Sequence, residues 1–295
     1  MIKIRRVTKV IALLAFTFFF SHVVFGADDN GPIPDKSEYN LFTPVPDDLM
    51  RSFATDRPTK SDSPYTVDAG HFQYEADLAN WTYDNYNSAK TTSSNLLLGD
   101  PTLKMGLTRN TDLEFALAPL NIDATHNRIT KNNTNGTGFG DIYSRIKVNL
   151  LGDDGGDYAL AIVPYVKAPT ASHEIGNGHW EGGGYMPFIA TLPEDWTLDI
   201  TSEVDILENA ALNGNHANFQ NLINFNHPMF SPDLTGYVEF WSDVNNDKNT
   251  PTQYTLDFAT SWLVKDNLQL DVGINIGLNK AASDVQPYLG ISQRF

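Results

Sequence analysis

The sequence predicts an all-β fold: a transmembrane antiparallel up-and-down β-barrel of about twelve strands, of the bacterial outer-membrane type. Three observations predict it: long stretches in which apolar and polar residues alternate, an export signal at the start, and an aromatic residue, Phe295, at the end. Strands that cross a membrane in roughly ten residues alternate in this way, because one face meets lipid and the other meets the barrel interior.

The first residues predict export. Basic residues at 3–9 precede an apolar run at 10–20, and a small residue before Ala27 offers a cleavage point. The apolar run is too short for a spanning helix, which needs about 20 residues. Residues 1–26 are therefore expected to be a signal peptide that directs the chain to the bacterial outer membrane.

Composition excludes several classes of protein. The chain of 295 residues has a net charge of −16, and loss of the basic signal peptide makes it more acidic. That charge disfavours nucleic acid as a partner. The chain has no cysteine, which excludes disulfides and Cys-ligated metal sites.

Residues 27–65 are predicted to form a separate Pro- and Asp-rich segment. Proline cannot donate to a strand ladder, and the stretch has little periodicity, so it is not a barrel strand. It is either a periplasmic leader or a plug folded into the barrel. Apolar residues within it favour a short helix at 46–53 that docks on or in the barrel.

Residues 66–295 are predicted to form the barrel, and period 2 places its strands. In the clearest case Leu268, Leu270 and Val272 alternate with Gln269 and Asp271. The candidate strands are 70–83, 96–107, 112–120, 138–150, 157–168, 181–192, 196–207, 218–227, 234–242, 252–263, 267–278 and 286–295.

The predicted connections alternate in length, as short periplasmic turns and longer external loops do in such barrels. Short turns are expected at 109–111, 152–156, 193–195, 231–233 and 264–266, and long loops near 84–95, 121–137, 169–180, 208–217, 243–251 and 279–285. Aromatic residues near strand ends are expected to form interfacial girdles: Trp81, Tyr83, Trp180, Tyr185, Trp196, Tyr237, Trp241 and Trp262.

Charged residues at alternate strand positions are predicted to face the lumen, because lipid does not accommodate them. They are Glu75, Asp77, Lys104, Glu114, Arg145, Lys147, Asp199, Glu203, Asp205, Asp257, Asp271 and Arg294, with Glu239 and Lys167 as additions. Opposite charges either pair and fill the lumen or form rings that bias what passes. The excess of acids favours cations or neutral solutes.

Metal and catalytic sites are not expected. Asp243, Asn245 and Asp247 match the first ligand positions of a calcium loop, but Lys248 and Tyr254 stand where Gly and Glu are needed, so the candidate is weak. The stretch HEIGNGH at 173–179 lacks the spacing of a zinc protease. No arrangement of nucleophile and base is evident, so we expect no enzyme and no cofactor.

Several segments resemble one bacterial family, the transporters labelled with the MetA-pathway of phenol degradation. They are Thr55–Pro58, Ser63–Val67 and Asp68–Phe72 at the entry to the first strand, GFGD at 138–141, VPYVKAPTA at 163–171 and the terminal strand. The resemblance covers most of the mature chain. It implies an outer-membrane barrel with a transport role and supplies no binding residues.

The combined expectation is an outer-membrane channel or transporter for small-molecule solutes, including aromatic or hydrophobic compounds. The alternative is a structural or adhesion barrel whose external loops bind a surface partner. The expected partners are outer-membrane lipid, the solute, and the barrel-assembly machinery, which would bind Phe295. Gln293 departs from the common ending, where an apolar or aromatic residue is usual.

Overall fold

The structure, a computed structural model, describes residues 35–209, 211–247 and 250–295. The predicted signal peptide and the start of the predicted leader lie outside these ranges. The described chain forms one antiparallel sheet that closes on itself. Its segments are β1 (Phe72–Asp84), β2 (Thr91–Leu98), β3 (Asp100–Thr108), β4 (Thr111–Leu117), β5 (Leu120–Asn127), β6 (Asn133–Gly138), β7 (Ile142–Leu151), β8 (Tyr158–Ala168), β9 (Glu181–Thr191), β10 (Thr197–Glu208), β11 (Asn215–Met229), β12 (Ser231–Asn245), β13 (Gln253–Lys265), β14 (Leu268–Gly277) and β15 (Val285–Arg294).

These segments build twelve strands, because three strands are interrupted once each. β2 continues into β3, β4 into β5, and β6 into β7; β2 and β3, for example, both pair with β1. Gly99 breaks the first of these strands with a positive φ of 64°, and Pro119, which has no N–H, breaks the second. The predicted twelve-stranded antiparallel barrel is confirmed.

The barrel closes between its first and last strands. β1 pairs with β15 from Gln73 opposite Arg294 to Tyr83 opposite Val285. Below this ladder Phe72 and Phe295 exchange backbone hydrogen bonds of 3.3 and 2.8 Å. The last residue of the chain is therefore part of the seam.

The connections at one end of the barrel have one to six residues, and those at the other end have five to twelve. The shorter side has turns at 109–110, 152–157, 192–196, 230 and 266–267, and the other side has loops at 85–90, 128–132, 169–180, 209–214, 246–252 and 278–284. The long loops expected at 84–95 and 121–137 are shorter than predicted. Their Thr- and Asn-rich flanks continue as paired strands, although they lack the alternation of apolar and polar residues from which strands are predicted.

The two faces of each strand differ in the way a membrane barrel requires. On β14 the outward Leu270, Val272 and Ile276 are exposed, whereas the inward Gln269 and Asp271 are buried. Apolar side chains are thus on the outside and polar ones inside, the reverse of a soluble protein. No helix in the described ranges is long and apolar enough to cross a membrane.

Two local predictions are wrong. Only a 3-10 turn, Asp47–Leu49, forms where a helix at 46–53 was expected, because Pro46 and Met50 on either side are extended. Among the predicted girdle residues, Tyr185 is buried, Tyr237 bonds to the buried Ser261, and Trp241 contacts a lysine inside the barrel. All three share the inward phase of their strands. Trp81, Trp180, Trp196 and Trp262 are exposed on the outside.

Candidate functional site

The interior of the barrel carries the charged residues that the sequence singles out. Arg145 and Glu203 are half-buried, and the other predicted members are buried: Glu75, Asp77, Lys104, Glu114, Lys147, Asp199, Asp205, Asp257, Asp271 and Arg294. They lie in separate groups around the wall. Lys104, Arg145 and Lys147 stand on β3 and β7, whereas most of the acids lie on β10, β13 and β14.

Residues 51–67, which we call the luminal segment, run inside the barrel. Their side chains and backbone reach β1, β3, β7, β12, β13 and β14, so the contacts cover opposite parts of the wall. No local periodicity marks this stretch. Its position depends on contacts between residues far apart in the chain.

Arg57 connects the segment to the barrel seam. Its Nη2 donates to Asp271 Oδ1 on β14 at 2.6 Å, and its Nη1 lies 2.7 Å from Asp77 Oδ1 on β1. The guanidinium covers Gly290 of β15, where any Cβ would collide with it. Arg57 therefore spans the three strands that meet at the closure.

Lys60 connects the segment to β12 and β13. Its ammonium lies 2.5 Å from Asp257 Oδ2 and 2.9 Å from Thr255 Oγ1, and 4.8 Å from the centre of the Trp241 ring. The backbone N–H groups of Lys60 and Ser61 donate to the two carboxylate oxygens of Glu239, each at 3.0 Å. Glu239 thus has partners although it is fully buried.

Asp56 connects the segment to the basic part of the wall. Its carboxylate accepts hydrogen bonds from Lys104 and, at 2.7 Å, from Lys147. Both lysines are buried and also pair with acids of the wall, Lys104 with Glu75 at 2.5 Å and Lys147 with Glu114 at 3.2 Å. A buried charge left without its partner is costly, so the network depends on Asp56.

A second group of ions fixes the segment at the mouth with the short turns. Arg51 Nε donates to Asp154 Oδ1 at 2.9 Å, and the Lys36 ammonium lies 2.8 Å from the same oxygen. Burial opposes ionisation of Asp154, but hydrogen bonds from Lys36 and Arg51, together with their charges, outweigh it and lower the pKa of this carboxyl. Thr66 adds hydrogen bonds to Asp153 at 2.9 and 2.6 Å.

Several interior residues were missed or only partly foreseen. Asp112 is fully buried on β4, and its Oδ2 accepts the N–H of Val67 at 3.0 Å. Period 2 from Glu114 would have found it. No sequence pattern pointed to Asp56, Arg57 or Lys60 as partners of the wall, since these contacts link residues up to 214 positions apart.

The weak calcium candidate is spread over a strand and a loop. Asp243 and Asn245 lie on β12, and Asp247 follows in the loop, where its N–H donates to Asn245 Oδ1 at 3.1 Å. Within the described ranges, no group of three or more His, Cys, Asp or Glu residues is placed to hold a metal ion.

A cavity of about 550 Å³ opens beside the luminal segment at the same mouth. Met50, Phe53, Tyr65 and Val67 give it apolar surface, and Arg51 and Arg294 give it charge. Arg294 also lies over the Phe53 ring, with 5.6 Å from its guanidinium carbon to the ring centre. The interior thus offers aromatic as well as charged contacts.

Solved structures with this architecture are outer-membrane barrels. An outer-membrane channel from Pseudomonas putida F1 is 11% identical with a TM-score of 0.60, over 82% of this chain and 100% of that chain. The transport unit of the autotransporter AIDA-I from Escherichia coli is 10% identical with a TM-score of 0.50, over 82% and 93%. At these identities the likeness establishes the fold.

Sequence comparison gives one family. No curated protein matches the chain. A family model matches residues 55–295, which begin in the luminal segment and include the whole barrel. The chain therefore belongs to the family described as "Putative MetA-pathway of phenol degradation".

Proposed function

We propose that the protein is an outer-membrane channel for small solutes, in which the luminal segment acts as a plug that narrows the pore. The observation that carries this proposal is the closed twelve-stranded barrel with a polar interior in which Asp56, Arg57 and Lys60 pair with the wall. Twelve strands enclose a lumen between the filled cores of eight-stranded barrels and the open pores of sixteen strands.

Aromatic or otherwise hydrophobic compounds are the proposed solutes. The family's link to phenol degradation supports this class. The inward, partly exposed rings of Tyr237 and Trp241 also support it, because such rings can stack on an aromatic solute while the polar wall holds a hydroxyl. The fold suits transport better than catalysis.

The same proposal places the barrel in outer-membrane lipid, reached by way of the predicted signal peptide and the barrel-assembly machinery. The exposed apolar band, for example Val204 and Ile206 on β10, supports contact with lipid. The exposed side chain of Phe295, at the seam, supports recognition by the assembly machinery. The short loops 85–90 and 128–132 offer little surface for the alternative of an adhesion barrel.

Conductance in planar bilayers tests the proposal. We expect the mature chain to conduct, and we expect the double substitution Arg57→Gln, Lys60→Gln to raise the conductance several-fold because it removes two ties of the plug. The matched control is Lys265→Gln, an exposed lysine at the end of β13. A barrel that stays closed in all three forms, although folded, would overturn the channel function.

A further inference from the structure

The upper part of the β10–β12 wall carries a group of acids that, among the described residues, form no hydrogen bond or ion pair with the luminal segment. Glu203 and Asp205 of β10 stand opposite Gln220 and Asn218 of β11, and Gln220 stands opposite Asp243 of β12. We call Glu203, Asp205 and Asp243 the acidic patch. All three lie nearer the long-loop end than the row of Asp199, Asn224 and Glu239 that Lys60 and Ser61 contact.

In the described part of the chain, no basic side chain forms an ion pair with the patch. Among the described residues, no lysine, arginine or histidine nitrogen comes within 4.0 Å of its carboxylate oxygens. The wall at Lys104 and Lys147 is different, because these lysines form ion pairs with Asp56, Glu75 and Glu114. The described part of the lumen therefore has one side on which lysines pair with acids and another on which the acids form no ion pair.

Some oxygen atoms in and beside the patch accept no hydrogen bond from the described residues. Asp205 accepts from Tyr165 at 2.6 Å, Gln220 at 3.0 Å and Asn218 at 3.2 Å, and the side chain of Glu203 also contacts it. Two carboxyls in contact repel unless a proton or a cation lies between them. The Oδ1 atoms of Asp243 and of Asn218, which is 1% exposed, have no partner in the described part of the chain.

The contacts of Lys60 indicate which chemical group this wall can hold. One row away, the primary ammonium of Lys60 is held by the Asp257 carboxylate, the Thr255 hydroxyl and the face of Trp241. Trp241 is shared between that arrangement and the patch, because its Nε1 donates to Gln220 Oε1 at 3.0 Å. A ring that holds one ammonium by cation–π attraction thus lies beside acids that form no ion pair among the described residues.

From these contacts we propose that the acidic patch binds organic solutes that carry a primary ammonium group next to an aromatic or apolar body. The ammonium donates to Glu203, Asp243 and Asn218 Oδ1, and the body packs against Trp241 and Tyr165. A bare metal ion fits less well, because no metal-holding group exists in the described ranges. The proposal names a class of solutes for the channel. The role of the patch in transport rests on the proposed function, whereas its binding of the amine does not.

Calorimetry on the folded, detergent-solubilised mature chain tests the site. The probes are 2-phenylethylamine, 2-phenylethanol and 3-phenylpropionate, which share a body and differ in charge. We expect the amine to bind at least about tenfold more tightly than the alcohol, a difference that one good charge interaction provides. The anion should not bind. Equal binding of amine and alcohol would overturn the proposal.

Substitutions locate the binding. Glu203→Gln and Asp243→Asn keep the shape and remove one charge each, so each should weaken amine binding about tenfold. Asp233→Asn, an exposed acid at the other end of β12, is the control and should change nothing. Lys60→Gln frees Trp241 and Asp257 and should tighten binding. If none of these substitutions changes the affinity for the amine, the amine binds elsewhere and the proposal is refuted.

The binding result and the conductance result are separable. A barrel that binds the amine but never conducts would refute the channel and leave the site standing. A barrel that conducts but binds all three probes alike would keep the channel and remove the amine site. Heat-modifiable migration of each variant shows that it is folded before either measurement is interpreted.

Discussion

The ammonium of Lys147 lies 2.7 Å from Asp56 Oδ1, and the lysine cannot turn to bulk water instead, because it is fully buried. Asp56 also bonds to Lys104, so one carboxylate of the luminal segment serves two lysines of the wall. The negative charge of the luminal segment at Asp56 and the positive charge of the wall at Lys104 and Lys147 therefore compensate each other.

Replacing Asp56 should therefore release the segment. Asp56→Asn leaves Lys104 and Lys147 with less negative charge and should weaken docking by about 3 kcal/mol, the order of magnitude for breaking a buried pair. The chain has no cysteine, so Ser63→Cys, at a buried position, gives a single reporter. Maleimide should label it much faster in the Asp56→Asn form. The control is Asp48→Asn, which changes an exposed residue outside the lumen. Equal labelling rates in the Asp56→Asn and Asp48→Asn forms would contradict the prediction.

Gly290 is expected to be sensitive to any side chain. A Cβ at this position would collide with the Arg57 guanidinium, which cannot move without leaving Asp77 or Asp271. Gly290→Ala should raise both conductance and labelling at Ser63→Cys, and Gly290→Val should raise them further. Gly184→Ala is the matched control, because its Cβ would meet nothing closer than 3.5 Å. Equal conductance and equal labelling in the Gly290→Ala and Gly184→Ala variants would show that Arg57 does not need the space above Gly290.

Acid should weaken the ties at the short-turn mouth. The lowered pKa of Asp154 means that its contribution is complete above the ordinary carboxyl pKa of about 3.9 and is lost as pH falls through the lower, folded value. Asp154→Asn should increase proteolytic cleavage of the segment equally at pH 7 and pH 5. The difference from the unsubstituted chain should shrink only below about pH 4. A difference that disappears already by pH 5 would contradict the sign of the shift.

The last strand should control assembly. Gln293 lies on the same face as the exposed Phe295, where an apolar residue suits lipid better. Gln293→Tyr should raise the yield of heat-modifiable barrel in outer-membrane fractions, and Phe295→Ala should lower it. Ser292→Ala, on the inward face of the same strand, should have less effect than Phe295→Ala. A yield that is indifferent to Phe295 would remove the assumed contact with the assembly machinery.

Sequence reasoning located the strands because the physics of a spanning strand is local. Lipid on one side and a polar lumen on the other impose period 2, which is why Asp271 and Leu270 were assigned to opposite faces and are buried and exposed, respectively. The same argument misjudged Trp241, because proximity to a strand end was given more weight than its inward phase. The Thr- and Asn-rich stretch that forms most of β5 and β6 has no such period, so the sequence predicts a loop there.

The luminal segment could not be predicted in the same way. Its apolar residues suggested docking, but the partners of Arg57 and Lys60 lie roughly two hundred positions away and become neighbours only when the barrel closes. A charged residue in a proline-rich stretch has no periodic signal that identifies its counter-ion. The acidic patch is similar, because the absence of an ion pair with it in the described ranges is visible only once the wall is assembled.

Arg57 also bears on how the barrel reaches its final register. It grips Asp77 on the first strand and Asp271 on the penultimate strand while lying across Gly290 on the last one. A slip of the closing strands by one residue would turn one of those carboxylates toward lipid and leave the guanidinium with half of its grip. The luminal segment, which precedes every strand in the chain, thus stabilises only the register in which the first and last strands of the sheet are correctly paired.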